Sequence, residues 1–164
     1  MGLFDQVFKR IHFFRGFLTT ERDWNESEEY HQRKRLLHNA FLHGPGVVPH
    51  FKEGLAVTAR GKGELAIEVA PGYAIDGEGH DLLLLEPVIK SINPSDYKLP
   101  ATIFVVLRYV EEFDDFVAYK ENPEFKGHRK VAERTKVDIT ITEPEIAKEV
   151  EIARIHLTPK AKKV

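Results

Sequence analysis

Eight histidines and 26 acidic residues are the side chains of this 164-residue chain that could hold a metal ion or move a proton. Their spacing decides whether they do either. His38 and His43 stand five apart, whereas an α-helix brings residues three and four apart onto one face. They are therefore not expected to act together as i, i+4 metal ligands do. His12, His50, His80, His128 and His156 are scattered among different expected elements. Glu111–Glu112 and Asp114–Asp115 flank Phe113. Paired carboxylates perform acid–base work only when their surroundings separate their pKa values, and here they read as a solvated hairpin turn. "GKGE" and "GEGH" lack phosphate-loop spacing and open no helix. Ser27, Ser91 and Ser95 have no nucleophile-elbow context. The chain has no cysteine, which removes disulfides, thiolate metal sites and cysteine nucleophiles. The reading is of a non-enzyme with no catalytic residues, no metal and no organic cofactor.

Composition narrows the partners. Apolar residues make up 42% and charged residues 30%, which is globular, and the net charge of −2 carries no signal for nucleic acid. The basic end Lys160, Lys162 and Lys163 reads as solvated. No run approaches the roughly 20 apolar residues of a membrane span, and "MGLFDQVFKRIHFF" does not resemble a signal peptide. The chain is expected to be made in the cytoplasm and to remain soluble.

The elements that must position these residues follow from periodicity. Residues 1–19 form an apolar arm containing Leu3, Phe4, Val7, Phe8, Ile11, Phe13, Phe14, Phe17 and Leu18. It packs either on its own domain or on a neighbouring subunit. Its large apolar area favours an assembly role, so Phe4, Phe8, Phe13, Phe14, Phe17, Trp24 and Tyr30 are the candidate partner interface. Thr20 is a candidate N-cap with Asp23 at the capping-box position, and a helix is expected over residues 21–43. Trp24, Tyr30, Leu37 and Phe41 lie near one face of it. Gly44 should end the helix with a positive φ, and Pro45 forbids continuation.

After Gly46 the apolar period becomes two, and at least six strands are expected between residues 47 and 157. Leu55, Val57 and Ala59 precede a turn at "RGKG", residues 60–63, and Leu65, Ile67 and Val69 follow it. Asp76–Gly77 lies at the tip of a second hairpin. Leu82 to Leu85 reads as a strand buried on both faces. "ATIFVVLRYVEEF" is a long central strand from which "FDDFVAY" could return. Arg108 either pairs inside the sheet or marks an edge. Residues 120–134 read as a surface loop. Val137, Ile139 and Ile141 should point inward. Residues 145–157 fit a helix, or a strand whose parity flips once at a bulge, and the β-branched residues favour the strand. The fold class is mainly β with one long N-terminal helix (α+β). Residues 1–46 form the arm and helix, and residues 47–164 form a compact antiparallel β-sandwich or barrel-like module.

The order of these features resembles a family of tail-associated proteins found with contractile injection systems and contractile phage tails. The resemblance rests on Phe14 to Thr19, Trp24, Tyr30, "HGPGVV", "LAVTA", "PGYAIDGEG", "VVLRYVEE" and "EIARIHL". "VVPHFKEG" stands where that family has a shorter Gly-rich link. The resemblance implies a structural subunit of a baseplate or tail end, in an oligomeric assembly with other tail subunits. The particle would be a phage tail or a phage-tail-like machine. The alternative is a fibre-attachment or carbohydrate-binding β-sandwich module.

Overall fold

A computed structural model of the chain describes residues 7–60 and 65–159. Phe4 and most of the "RGKG" turn lie outside the described residues. The chain is mainly β, with one helical segment near its start.

The helix begins where the sequence predicts. The Thr20 backbone N–H and its hydroxyl both donate to Asp23 Oδ2 at 2.8 Å. Helix α1 spans Glu21–His38, with Glu21 and Asp23 in its first turn and Arg35 and His38 in its last. Both groups of charges oppose the helix dipole favourably. The helix then widens into a π-helical turn, Asn39–His43. Gly44 closes it. Its N–H donates to Asn39 O at 2.9 Å, a bond across five residues. Gly44 has φ 76° and ψ 167°. This is the extended positive-φ region that is essentially glycine-only, not the left-handed helical region of an ordinary C-cap.

Nine strands follow among the described residues: β1 (Gly46–Val47), β2 (Val57–Ala59), β3 (Ala66–Val69), β4 (Gly72–Ile75), β5 (Asp81–Leu84), β6 (Val88–Ser91), β7 (Ala101–Ala118), β8 (Lys126–Thr140) and β9 (Glu149–Leu157). They form three antiparallel sheets with strand orders β1-β4-β5, β2-β3-β6 and β8-β7-β9. No barrel closes, which corrects the barrel-like expectation. One core draws on all three sheets. Ile67 and Val69 of β3, Leu82 of β5, Val105 and Leu107 of β7 and Leu157 of β9 are all buried in it. Each such side chain contributes about 1.5–3 kcal/mol relative to exposure.

The last segment is a strand. Val105 faces Ala153 and Val106 faces Glu151, so β9 holds one extra residue between them. That bulge lets Val150 and Leu157 both reach the core although their parities differ.

Several expectations are corrected. β7 continues through Ala118, so "FDDFVAY" does not return, and Glu111 to Asp115 lie within a strand. Most of the expected loop 120–134 belongs to β8, which pairs with β7 from Lys126 onward. Beyond Tyr109 the two strands form a ribbon that leaves the body. Neither face there meets a core, so no apolar alternation marks it. Leu82 and Leu84 are buried, but Leu83 is 42% exposed because only one face of β5 meets the core. Ile141 lies past the end of β8 and is 66% exposed. Trp24 and Phe41 are also exposed. The residues that seat the helical segment are Leu36 and Asn39.

Gly79 receives that seat. It has φ 91°, and a Cβ built there would lie 2.2 Å from Leu36 O. A side chain at Gly44, by contrast, would meet nothing within 4 Å. The two glycines are therefore required for different reasons. Gly44→Val is expected to cost about 1–3 kcal/mol in urea unfolding through backbone strain alone. Gly79→Ala should also release α1 from the body, seen as faster amide exchange along 30–43. If exchange there is unchanged, Gly79 is not the seat.

Candidate functional site

Two regions outside the core carry exposed aromatic side chains, and one turn positions both. The turn joins β4 to β5. Asp76 is 1% exposed, and its carboxylate is fully used. Its Oδ1 accepts from the Glu78 and His80 backbone N–H groups at 3.0 and 2.8 Å. Its Oδ2 meets His80 Nδ1 at 2.9 Å. The hydrogen bond to Asp76 raises His80 above the ordinary histidine value, with burial opposing it. The His80 ring stacks on Tyr109 of β7, with centroids 4.1 Å apart and planes 13° from parallel.

Other parts of the chain dock on this turn. Gly77 N–H and Glu78 N–H donate to Ile146 O and Ala147 O at 3.2 and 3.0 Å, which holds the turn before β9. Asn39 Nδ2 donates to Gly79 O at 2.9 Å and to Asp81 Oδ1 at 3.0 Å, which holds the helical segment. The Tyr73 hydroxyl donates to the same Asp81 oxygen. Burial, then that hydrogen bond, pushes the Tyr73 pKa up to about 12. Arg35 spans from Asp81, at 3.5 Å, to Glu133 on the ribbon, at 3.2 Å. Gln32 donates to Glu111 at 3.4 Å.

The first aromatic region is the arm laid along α1. Phe8 meets Tyr30 edge-on, with centroids 6.3 Å apart. Arg33 and Lys34 place their cations 5.2 and 4.7 Å from the Phe8 ring centre. Phe13 lies 5.8 Å from Phe17 and 6.1 Å from Trp24, and Phe14 lies 5.3 Å from Phe17. Six of the seven candidate interface residues thus form two ring clusters, and Phe4 lies outside the described residues. The clusters are only half covered: Trp24 is 57% exposed, and Phe13, Phe14 and Leu18 are also exposed.

The second region is the β7–β8 ribbon, which sequence reasoning missed. Phe113 is 75% exposed, and Phe116, Tyr119, Phe125 and Val131 are exposed with it. His128 lies 5.6 Å from Phe113 and 5.1 Å from Phe116. The ladder is braced by Arg129 to Asp115 at 2.7 Å and Arg134 to Glu112 at 2.6 Å. Exposed pairs of this kind contribute about 0–1 kcal/mol each. The available signal was three aromatic residues, Phe113, Phe116 and Tyr119, at every third position of a run that also holds four acidic residues, "EEFDDFVAY".

The remaining candidates for chemistry fall out as follows. Glu111, Glu112 and Asp115 are engaged with Tyr109, Arg134 and Arg129. Arg108 is an ion-pair residue, bound to Glu149 on β9 and 3.7 Å from Asp138 on β8. Among the described residues no group of three or more His, Asp or Glu is arranged around a common point. None of the described helices is long and apolar enough to cross a membrane. His38 and His43 do meet, against expectation, with Nε2 atoms 3.2 Å apart. The π turn between them supplies the reason: its bonds close across five residues.

The His80–Asp76 contact predicts a pH dependence. A histidine raised by its partner stabilises the fold fully below its unfolded value, about 6.5, and loses that contribution as pH rises through its folded value. The stability gap between the wild-type chain and His80→Gln, measured by urea unfolding, should be largest near about pH 5 and shrink as pH rises. A gap that stays constant or widens with pH would show that charged His80 is not the stabilising form.

Comparison with known protein families gives no match, and no curated protein matches the chain.

Proposed function

We propose that the chain is a non-enzymatic structural subunit of a contractile phage tail or phage-tail-like injection system. It belongs at the baseplate or tail end, where it joins neighbouring subunits. Its body is a β-sandwich, and its arm, helix and ribbon make the contacts. The observation that carries this reading is where the exposed aromatic side chains lie. They are concentrated on the two parts that leave the core, the arm with α1 and the β7–β8 ribbon. Exposed apolar patches rimmed by charge mark surfaces that are covered in use.

The magnitude supports cover by other chains. A fully covered aromatic side chain buries about 150–250 Å². At about 25 cal/mol per Å², covering Phe13, Phe14 and Trp24 by half yields several kcal/mol as an upper figure. The body is already packed on its own core, whereas an assembled ring offers a groove on each neighbour. The ordered motif series from Phe14 to "EIARIHL" supports the same reading. Its "PGYAIDGEG" segment contains the Asp76 turn on which the helical segment is seated.

A carbohydrate-binding module is the second reading, favoured by the ring cluster of Phe113, Phe116 and His128 on the ribbon. The two readings separate experimentally. Under the assembly reading the chain co-sediments with sheath and tube proteins in purified particles, and the isolated chain does not bind glycans. Deleting residues 1–19 is expected to leave the β body folded by circular dichroism while abolishing incorporation into particles. Normal incorporation of the truncated chain, or loss of all cooperative unfolding, would remove the arm as the joining element.

A further inference from the structure

We propose that His38 and His43 form a bidentate site for a divalent transition-metal ion of the Zn²⁺, Ni²⁺ or Cu²⁺ type, at the joint where the helix enters the sheets. Five residues along an α-helix would place the second ring roughly 140° around the axis from the first. The π turn Asn39–His43, whose bonds close across five residues, reduces that offset and brings the two positions to one side of the segment. Both side chains are exposed, so an ion can reach them from solvent.

Two independent distances fit a shared ion. The Nε2 atoms are 3.2 Å apart. With metal–nitrogen bonds of roughly 2.0–2.1 Å, that separation corresponds to a nitrogen–metal–nitrogen angle of roughly 100°, close to tetrahedral. The ring centres are 5.0 Å apart. An ion on the lone-pair axis of both rings, at the same bond length and angle, would place the ring centres about 5.0 Å apart. A linear hydrogen bond between the two Nε2 atoms would hold the centres farther apart than this. Both distances are thus compatible with one ion shared by the two Nε2 atoms, with the ring planes 61° apart.

Without metal, one Nε2–H donates to the other Nε2. On coordination that proton moves to Nδ1 of the same ring, so both rings stay neutral and each presents a lone pair. Water completes the coordination. Imidazole donors suit this group of ions, with Cu²⁺ bound most tightly. His43 also lines the groove formed with Pro45, Val47, Val48 and Tyr73. An ion held by His38 and His43 clasps the last residue of α1 to the last residue of the π turn. It locks the five-residue spacing that presents Asn39 to Gly79.

The test is calorimetric titration of the full chain with Zn²⁺ alone and with Cu²⁺ alone. His38→Ala, His43→Ala, the double variant and His31→Ala are titrated in parallel, with folding checked by circular dichroism. The wild-type chain should bind one ion at least ten-fold more tightly than either single variant. The two single variants should resemble the double variant, because a chelate is lost with either arm. His31→Ala should bind as the wild type does. Electron paramagnetic resonance of the Cu²⁺ form should show two coordinated imidazole nitrogens. Single variants that bind like the wild type, wild-type binding no tighter than that of the double variant, or one coordinated nitrogen would each overturn the proposal.

Discussion

One buried carboxylate, Asp76, holds the turn on which the separate parts of the chain meet. A charge taken out of water is costly unless it is paired and hydrogen-bonded. Asp76 meets that requirement with two backbone N–H groups and the His80 ring. The result is a tight turn whose glycines can be approached closely. Gly77 admits the segment before β9, and Gly79 admits the Leu36 backbone. His80 carries the same constraint to Tyr109 on the long central strand.

The helix depends on this turn more than its length suggests. Leu36 is the only fully buried residue of α1. Among the described residues, its polar links to the body and ribbon include Gln32 with Glu111, and Arg35 with Asp81 and Glu133. Exposed polar links are weak. The direction of α1, and of the arm packed along it, is set by the seat of Leu36 and Asn39 on one hairpin. The molecule thus combines a body with a shared apolar core and two extensions held by local contacts. Such extensions can be covered by neighbours without disturbing the core.

Much of the fold was legible where local chemistry and core packing agree. Thr20 and Asp23 marked the helix start because a capping box is local. The flip of parity between Ile152 and Ala153 fitted a bulged strand, but the same residues also fitted a helix, and pairing with β7 decided for the strand. The ribbon was not legible. Its strands are held by backbone hydrogen bonds, which leave no trace in side-chain pattern, and they run beyond the core that would impose one. Leu83 and Ile141 misled for the same reason: an apolar side chain reports burial only if the element has a core-facing side there.

By itself the amino-acid sequence determined the helix limits, the change of period after Gly46, the β-rich body and the apolar arm with its aromatic residues. Each follows from interactions between residues near in sequence, or from alternation against one core. The tertiary structure alone decided that the last helical turn widens, so that His38 and His43 meet. It also decided that α1 rests on Gly79 and that β7 and β8 project as an aromatic ribbon. These depend on where separate hairpins approach one another, and that geometry comes from packing across the whole chain rather than from any local run of residues.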